Sequence, residues 1–203
     1  MKKRRELHRI LQPLGINVYL DSEKGITLRE VEETGESFEE NALLKAKSGC
    51  IDSGLPCVAD DSGLCVDALG GAPGIYSARY HGEDTPYDKK MAYLLSELHG
   101  VEDEKRTARF VCAVACAFPD GSSFTLRGVC EGKIGKAPRG EGGFGYDPIF
   151  MVGDKSFAEL SSEEKDAVSH RGRALRLLAE RLLEMQNENT VRNNTAGEDR
   201  ENI

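Results

Sequence analysis

Apolar residues recur at helical spacing in four stretches of this chain, and short apolar runs lie between them. Leu7, Ile10, Leu11 and Leu14 follow a basic start, and Pro13-Leu14-Gly15 ends that helix. Residues 16–20 read as a short strand. Ser37-Phe38-Glu39-Glu40 has the form of a capping box, with Phe38, Ala42, Leu43, Ala46 and Cys50 as the stripe behind it. Gly54-Leu55-Pro56 breaks that helix, and Cys57-Val58-Ala59 opens a strand expected to stop at Asp60-Asp61-Ser62-Gly63. A further helix is bounded by Thr85 as N-cap, Pro86 at its first position and Gly100 beyond its end, with Tyr87, Met91, Leu94, Leu95 and Leu98 inward. Residues 109–118 read as a buried strand, turned by Pro119-Asp120-Gly121-Ser122 into the more open alternation of 124–130. A glycine-rich stretch leads to a strand at 148–152. The last helices span 162–185, with Ala174, Leu175, Leu178, Leu182 and Leu183 as their stripe. Residues 186–203 are almost free of apolar side chains and read as a disordered polar tail. The interleaving of strands and helices points to an α/β or α+β class.

Composition narrows the picture. A chain of 203 residues hides roughly 70% of its unfolded surface on folding and needs no disulfide or metal staple. Lys plus Arg number 27 against 35 for Asp plus Glu, a net charge of −8, which excludes general affinity for nucleic-acid backbones or anionic membranes. The longest uncharged apolar run, 110–118, is about half a membrane span. The basic N-terminus has no apolar signal core behind it, so the expected location is the cytoplasm. The six cysteines show no paired CxxC rhythm and read as small apolar residues in a reducing compartment.

Several positions carry candidate chemistry. Asp60-Asp61-Ser62-Gly63 reads either as a turn, with Asp and Ser bonding nearby backbone N–H groups, or as a site carboxylate. Adjacent residues on extended backbone point oppositely, so one of the two acids would face a cleft. Glu40 reads either as the capping-box acid or as a magnesium ligand paired with Asp61. Lys45, Lys165, His170 and Arg171 could surround a polyphosphate, Arg171 being suited to a forked contact, and His170-Arg171-Gly172 would sit at a helix N-terminus. Gly142-Gly143-Phe144-Gly145-Tyr146-Asp147-Pro148 combines permissive backbone with two rings able to stack on a base, or forms a β-turn with two core aromatics.

Together these motifs carry a resemblance. Ser37-Phe38-Glu39-Glu40-Asn41-Ala42, Ala59-Asp60-Asp61-Ser62-Gly63-Leu64, the run 70–80, the run 142–150 and Ser169-His170-Arg171-Gly172 resemble, in order and spacing, the inosine triphosphate pyrophosphatase family across about residues 3–183. The resemblance implies hydrolysis of deaminated purine nucleoside triphosphates (ITP, dITP, XTP) to the monophosphate and pyrophosphate, in a single domain over residues 1–185. It implies an α/β, elongated two-lobed fold with a long curved mixed sheet flanked by helices and a central cleft, a magnesium cofactor (Mg2+) and a homodimer. It assigns Asp61 as proton acceptor and metal ligand, Glu40 as the second metal ligand, and Ser62 and Lys45 as substrate contacts. Phe144, Gly145, Tyr146 and Asp147 would line the base site, with Lys165, His170 and Arg171 completing the base and phosphate contacts. The family opens with a hydrophobic strand and a Thr/Ser-x-Asn-x-x-Lys phosphate loop; here only Lys3 matches, as that loop's final lysine. That departure implies a second reading, a nucleotide-binding protein impaired in catalysis.

Overall fold

The computed structural model describes residues 2–19 and 21–198, with side chains for 6–19 and 22–188. Its elements run α1 (Lys2–Leu11), α2 (Phe38–Ser53), β1 (Cys57–Val66), α3 (Tyr87–Glu97), β2 (Thr107–Ala117), β3 (Ser123–Ile134), β4 (Phe150–Val152), β5 (Lys155–Ser156), α4 (Ser162–Val168) and α5 (His170–Glu198). The five strands form one sheet in chain order. Every pairing among the described residues is antiparallel, so the expected mixed sheet is corrected. The physical reason lies in the connections. Residues 118–122 form a tight turn between β2 and β3, and the long segment holding α3 brings the chain back at the same end of β1, with Val66 opposite Ala108. A parallel neighbour needs a crossover to the far end instead.

β2 lies between β1 and β3 and is buried on both faces, which is why 110–118 reads as one apolar run. Val111, Ala113, Ala115 and Ala117 pack on Phe38, Ala42 and Ala46 of α2. Cys112, Val114 and Cys116 face Leu11 of α1 and Ala174, Leu175 and Leu178 of α5. A third cluster joins Leu64, Met91, Leu94, Leu98, Phe110, Tyr146, Phe150 and Phe157.

Four local expectations change. Asp60-Asp61-Ser62-Gly63 is not a turn: Asp60 pairs with Val114 and Gly63 with Val111 inside β1. A ten-residue ladder outweighs the turn preference of four residues. Residues 16–19 join no described strand, yet Ile16 and Val18 still pack against the α1–α5 cluster, so burial alone accounts for their alternation. Pro86 is extended (φ −61°, ψ 149°) and takes the N-cap place of α3, while the Thr85 hydroxyl donates to the His81 carbonyl. The segment expected as a tail from residue 186 continues α5 as helix to Glu198.

Candidate active site

β1 carries two adjacent carboxylates to opposite faces of the sheet. Asp61 points toward α2, where Lys45 Nζ donates to its Oδ1 at 3.2 Å and Asn41 Nδ2 to its Oδ2 at 3.5 Å. Asp60 points toward α5 and accepts from Arg171 Nη2 at 3.1 Å. Asn41 and Lys45 share one face of α2 because they lie four residues apart. The helix starts where it does because Ser37 Oγ accepts from the Glu40 N–H at 3.2 Å. Glu40 is exposed, its carboxylate accepting from the Glu36 N–H at 2.7 Å; it is not among the residues lining the cleft that holds Asp61.

Besides Asp147, the acid that shares that cleft is Glu33. Its Oε1 accepts from Lys45 Nζ at 2.7 Å and its Oε2 from Arg79 at 3.3 Å. Sequence reasoning missed it, since Glu30, Glu32, Glu33 and Glu36 crowd a stretch without regular structure and no periodicity singles one out. Burial pushes Asp61 above the usual carboxylate range, with Lys45 pulling it down and Glu33 pushing it further up. Burial would also raise Glu33, but bonds and charge from Lys45 and Arg79 outweigh it and hold that carboxyl low. Burial alone would lower Lys45; Glu33 and Asp61 reverse this and raise it, so the ammonium stays charged.

An aromatic and cationic group completes the cleft. In the glycine-rich segment, Gly143 has φ +70°, and a Cβ there would lie 2.1 Å from Asp147 Oδ2, so only glycine lets the turn close. Asp147 Oδ2 accepts from the Phe144 N–H at 2.7 Å and from Lys165 Nζ at 2.5 Å. Lys165 Nζ stands 4.8 Å, and Arg171 Cζ 5.6 Å, from the Phe144 ring centroid. Tyr146 is buried, donates from its hydroxyl to the Ser77 carbonyl at 3.0 Å and meets Tyr87 edge-on. His170 and Arg171 begin α5 as expected, His170 stacking on Phe110 at 4.7 Å between centroids. Gly128 of β3 seats them: a Cβ there would lie 2.1 Å from the His170 carbonyl oxygen.

The cleft thus gathers Lys45, Asp61, Ser62, Phe144, Gly145, Tyr146, Asp147, His170 and Arg171 along one wall or another, and adds Glu33, Ser77 and Tyr87. Lys165 borders the adjoining hollow behind Phe144. The side chain of Lys3 lies outside the described residues. The forked contact expected of Arg171 is altered: its two terminal nitrogens already donate to Glu6 and Asp60.

The Ham1 family model matches residues 1–181. The chain belongs to the Ham1 family. It is 50% identical to the dITP/XTP pyrophosphatase of Bacillus subtilis (strain 168) over 182 residues, 89% of this chain and 91% of that protein. It is 52% identical to a protein of the same name from Geobacter sulfurreducens over 182 residues, with 89% and 91% covered. Among solved structures, a HAM1 protein from Coxiella burnetii superposes with a TM-score of 0.82 at 40% identity, covering 90% of this chain and 94% of that one.

Proposed function

We propose that this chain hydrolyses deaminated purine nucleoside triphosphates (dITP, ITP and XTP) to the monophosphate and pyrophosphate. The observation that carries the reading is the meeting in one cleft of a raised-pKa carboxylate held by an ammonium (Asp61 and Lys45) with the Phe144 ring, flanked by Arg171 and, from the adjoining hollow, by Lys165. A carboxylate whose pKa is raised by burial is a stronger base than an exposed one. In the proposed reaction Asp61 Oδ1 takes the proton of the attacking water, and Lys45 moves from the carboxylates onto phosphate oxygens. Phe144 stacks on the base while the Asp147–Lys165 pair meets its polar edge. A 6-keto oxygen accepts where adenine would present an amino donor, so donors aimed there discriminate by about 1–3 kcal/mol.

The donor set also fits a divalent metal. Among the described residues around the cleft, Lys45, Arg79, Lys165 and Arg171 stand against Glu6, Glu33, Asp60, Asp61 and Asp147, four cations to five carboxylates, so these groups leave a triphosphate's own charge unmatched. Asp61 and Glu33 would hold magnesium, oxygen ligands suited to a hard cation; in that reading Glu40 keeps its contact with the Glu36 N–H. Bound there, the ion would spread phosphate charge during displacement. The reading extends to a homodimer, supported by the exposed apolar face of Leu44, Ile51 and Leu55.

Pyrophosphate release from dITP, XTP and dATP, with magnesium and with chelator, tests the proposal. The expected result is magnesium-dependent release from dITP or XTP, with dATP at least about tenfold slower. Absence of release from both deaminated substrates would overturn it in favour of a binding protein.

A further inference from the structure

Lys90 of α3 is 1% exposed. Its Nζ donates to the Ala78 carbonyl and, at 3.4 Å, to the Glu83 carbonyl. It also stands 5.2 Å from the centroid of the Tyr87 ring, one turn back on the same helix. A lysine taken this far out of water costs the fold unless its donors are satisfied. Here main-chain carbonyls satisfy them. Among the described residues no main-chain N–H donates to either carbonyl, so Lys90 ties the connection between β1 and α3 onto the helix at both points.

These contacts close a ring behind one wall of the cleft. Ser77, Ala78 and Tyr87 line that cleft, whereas Lys90 does not. Tyr146 donates to the Ser77 carbonyl at 3.0 Å and meets Tyr87 edge-on, 5.4 Å between centroids. Lys90 holds the next carbonyl along, that of Ala78, and faces the same Tyr87 ring. The Ser77 hydroxyl accepts from the Leu64 N–H at 2.9 Å and donates to the Gly74 carbonyl at 2.6 Å, which fixes the segment against β1. An apolar side chain of equal length would fill the space of Lys90 but leave two carbonyls without a donor, and the segment would move to satisfy them. We propose that Lys90 is a positioning residue that sets the Ser77–Ala78–Tyr87 wall against Tyr146, and through it the fit of the nucleoside part of the ligand. It acts through Ala78 and Tyr87, and leaves the phosphate end to Asp61 and Lys45. The proposal rests on the nucleotide reading above.

Calorimetric titration with inosine monophosphate and with inorganic pyrophosphate, both in magnesium, separates the two parts of the ligand. In Lys90→Met, affinity for the monophosphate should fall about tenfold while affinity for pyrophosphate changes less than about twofold. Lys90→Gln, which keeps donors at the same place, should recover part of the loss. Melting curves identify a variant that does not fold, in which case the other decides by the same split. Equal weakening of both ligands, weakening of pyrophosphate alone, or a lower melting temperature with neither affinity changed overturns the proposal, the last because Lys90 would then serve the fold only. Wild-type protein that binds no monophosphate overturns the nucleotide reading and this proposal with it. Wild-type protein that shows the expected split against the variants but releases no pyrophosphate from dITP overturns the hydrolase reading and leaves the positioning role standing.

Discussion

At the scale of single residues, the cleft concentrates its tension on Asp61. Burial lifts its pKa above the unfolded value, so the native state holds a proton more readily than the unfolded chain. Between the unfolded value, about 4, and the raised native value, this group makes stability fall as pH rises. Where it is ionised, Asp61 is therefore a cost to the fold, and in the proposed reaction that form is the base. Asp61→Asn should lower pyrophosphate release by at least about a hundredfold while melting no lower than wild type, measured by turnover and thermal denaturation at neutral pH. A clear drop in melting temperature would mean that the Lys45 contact outweighs burial. Lys45→Met removes the charge that pulls Asp61 down, so the acid limb of its residual pH–rate profile should move to higher pH. A limb that stays in place would place the base elsewhere. Asp61 was legible only through the family resemblance, since its own four residues left a turn open and did not choose between the two acids. Glu33 was not, because a carboxylate on irregular backbone acquires its role only from what folds against it.

At the scale of elements, the site depends on how closely a helix start approaches the sheet. Gly128 allows the first turn of α5 to rest on β3, and a methyl group there would lie 2.1 Å from the His170 carbonyl oxygen and 2.5 Å from the Ala174 nitrogen. Gly128→Ala should therefore destabilise the protein by about 1–3 kcal/mol and weaken substrate binding, since His170 and Arg171 must shift with the helix. Unchanged melting and unchanged KM would show that the contact yields freely. The helices themselves were readable, because stripes and caps are local: the Ser37 cap and the start of α5 after Ser169 fall where the sequence puts them. β1 was read only in part. Its ladder with β2 crosses four residues of turn chemistry, and a ladder depends on a partner about fifty positions away.

At the scale of the whole molecule, the net charge of −8 and the matched charges of the cleft make the approach of a triphosphate unfavourable at long range. At fixed free magnesium, kcat/KM for dITP should rise about twofold or more between roughly 20 and 200 mM potassium chloride, as screening shortens the reach of that field. A fall instead would mean that local cations steer the substrate. Among the described residues no helix is long and apolar enough to cross a membrane, in keeping with the polar balance of the composition.

The sequence by itself determined the helices as far as residue 185, the strand buried on both faces and the motifs from which the family can be read, because each is written in residues close together along the chain. Tertiary structure decided what those motifs mean chemically. It sent Asp60 and Asp61 to opposite faces, brought Glu33 onto Lys45 across 12 positions and Glu6 onto Arg171 across 165. It also left Glu40 exposed, its carboxylate accepting from the Glu36 N–H just ahead of the helix. Partners, burial and pKa are properties of the assembled cleft, and no window of neighbouring residues contains them.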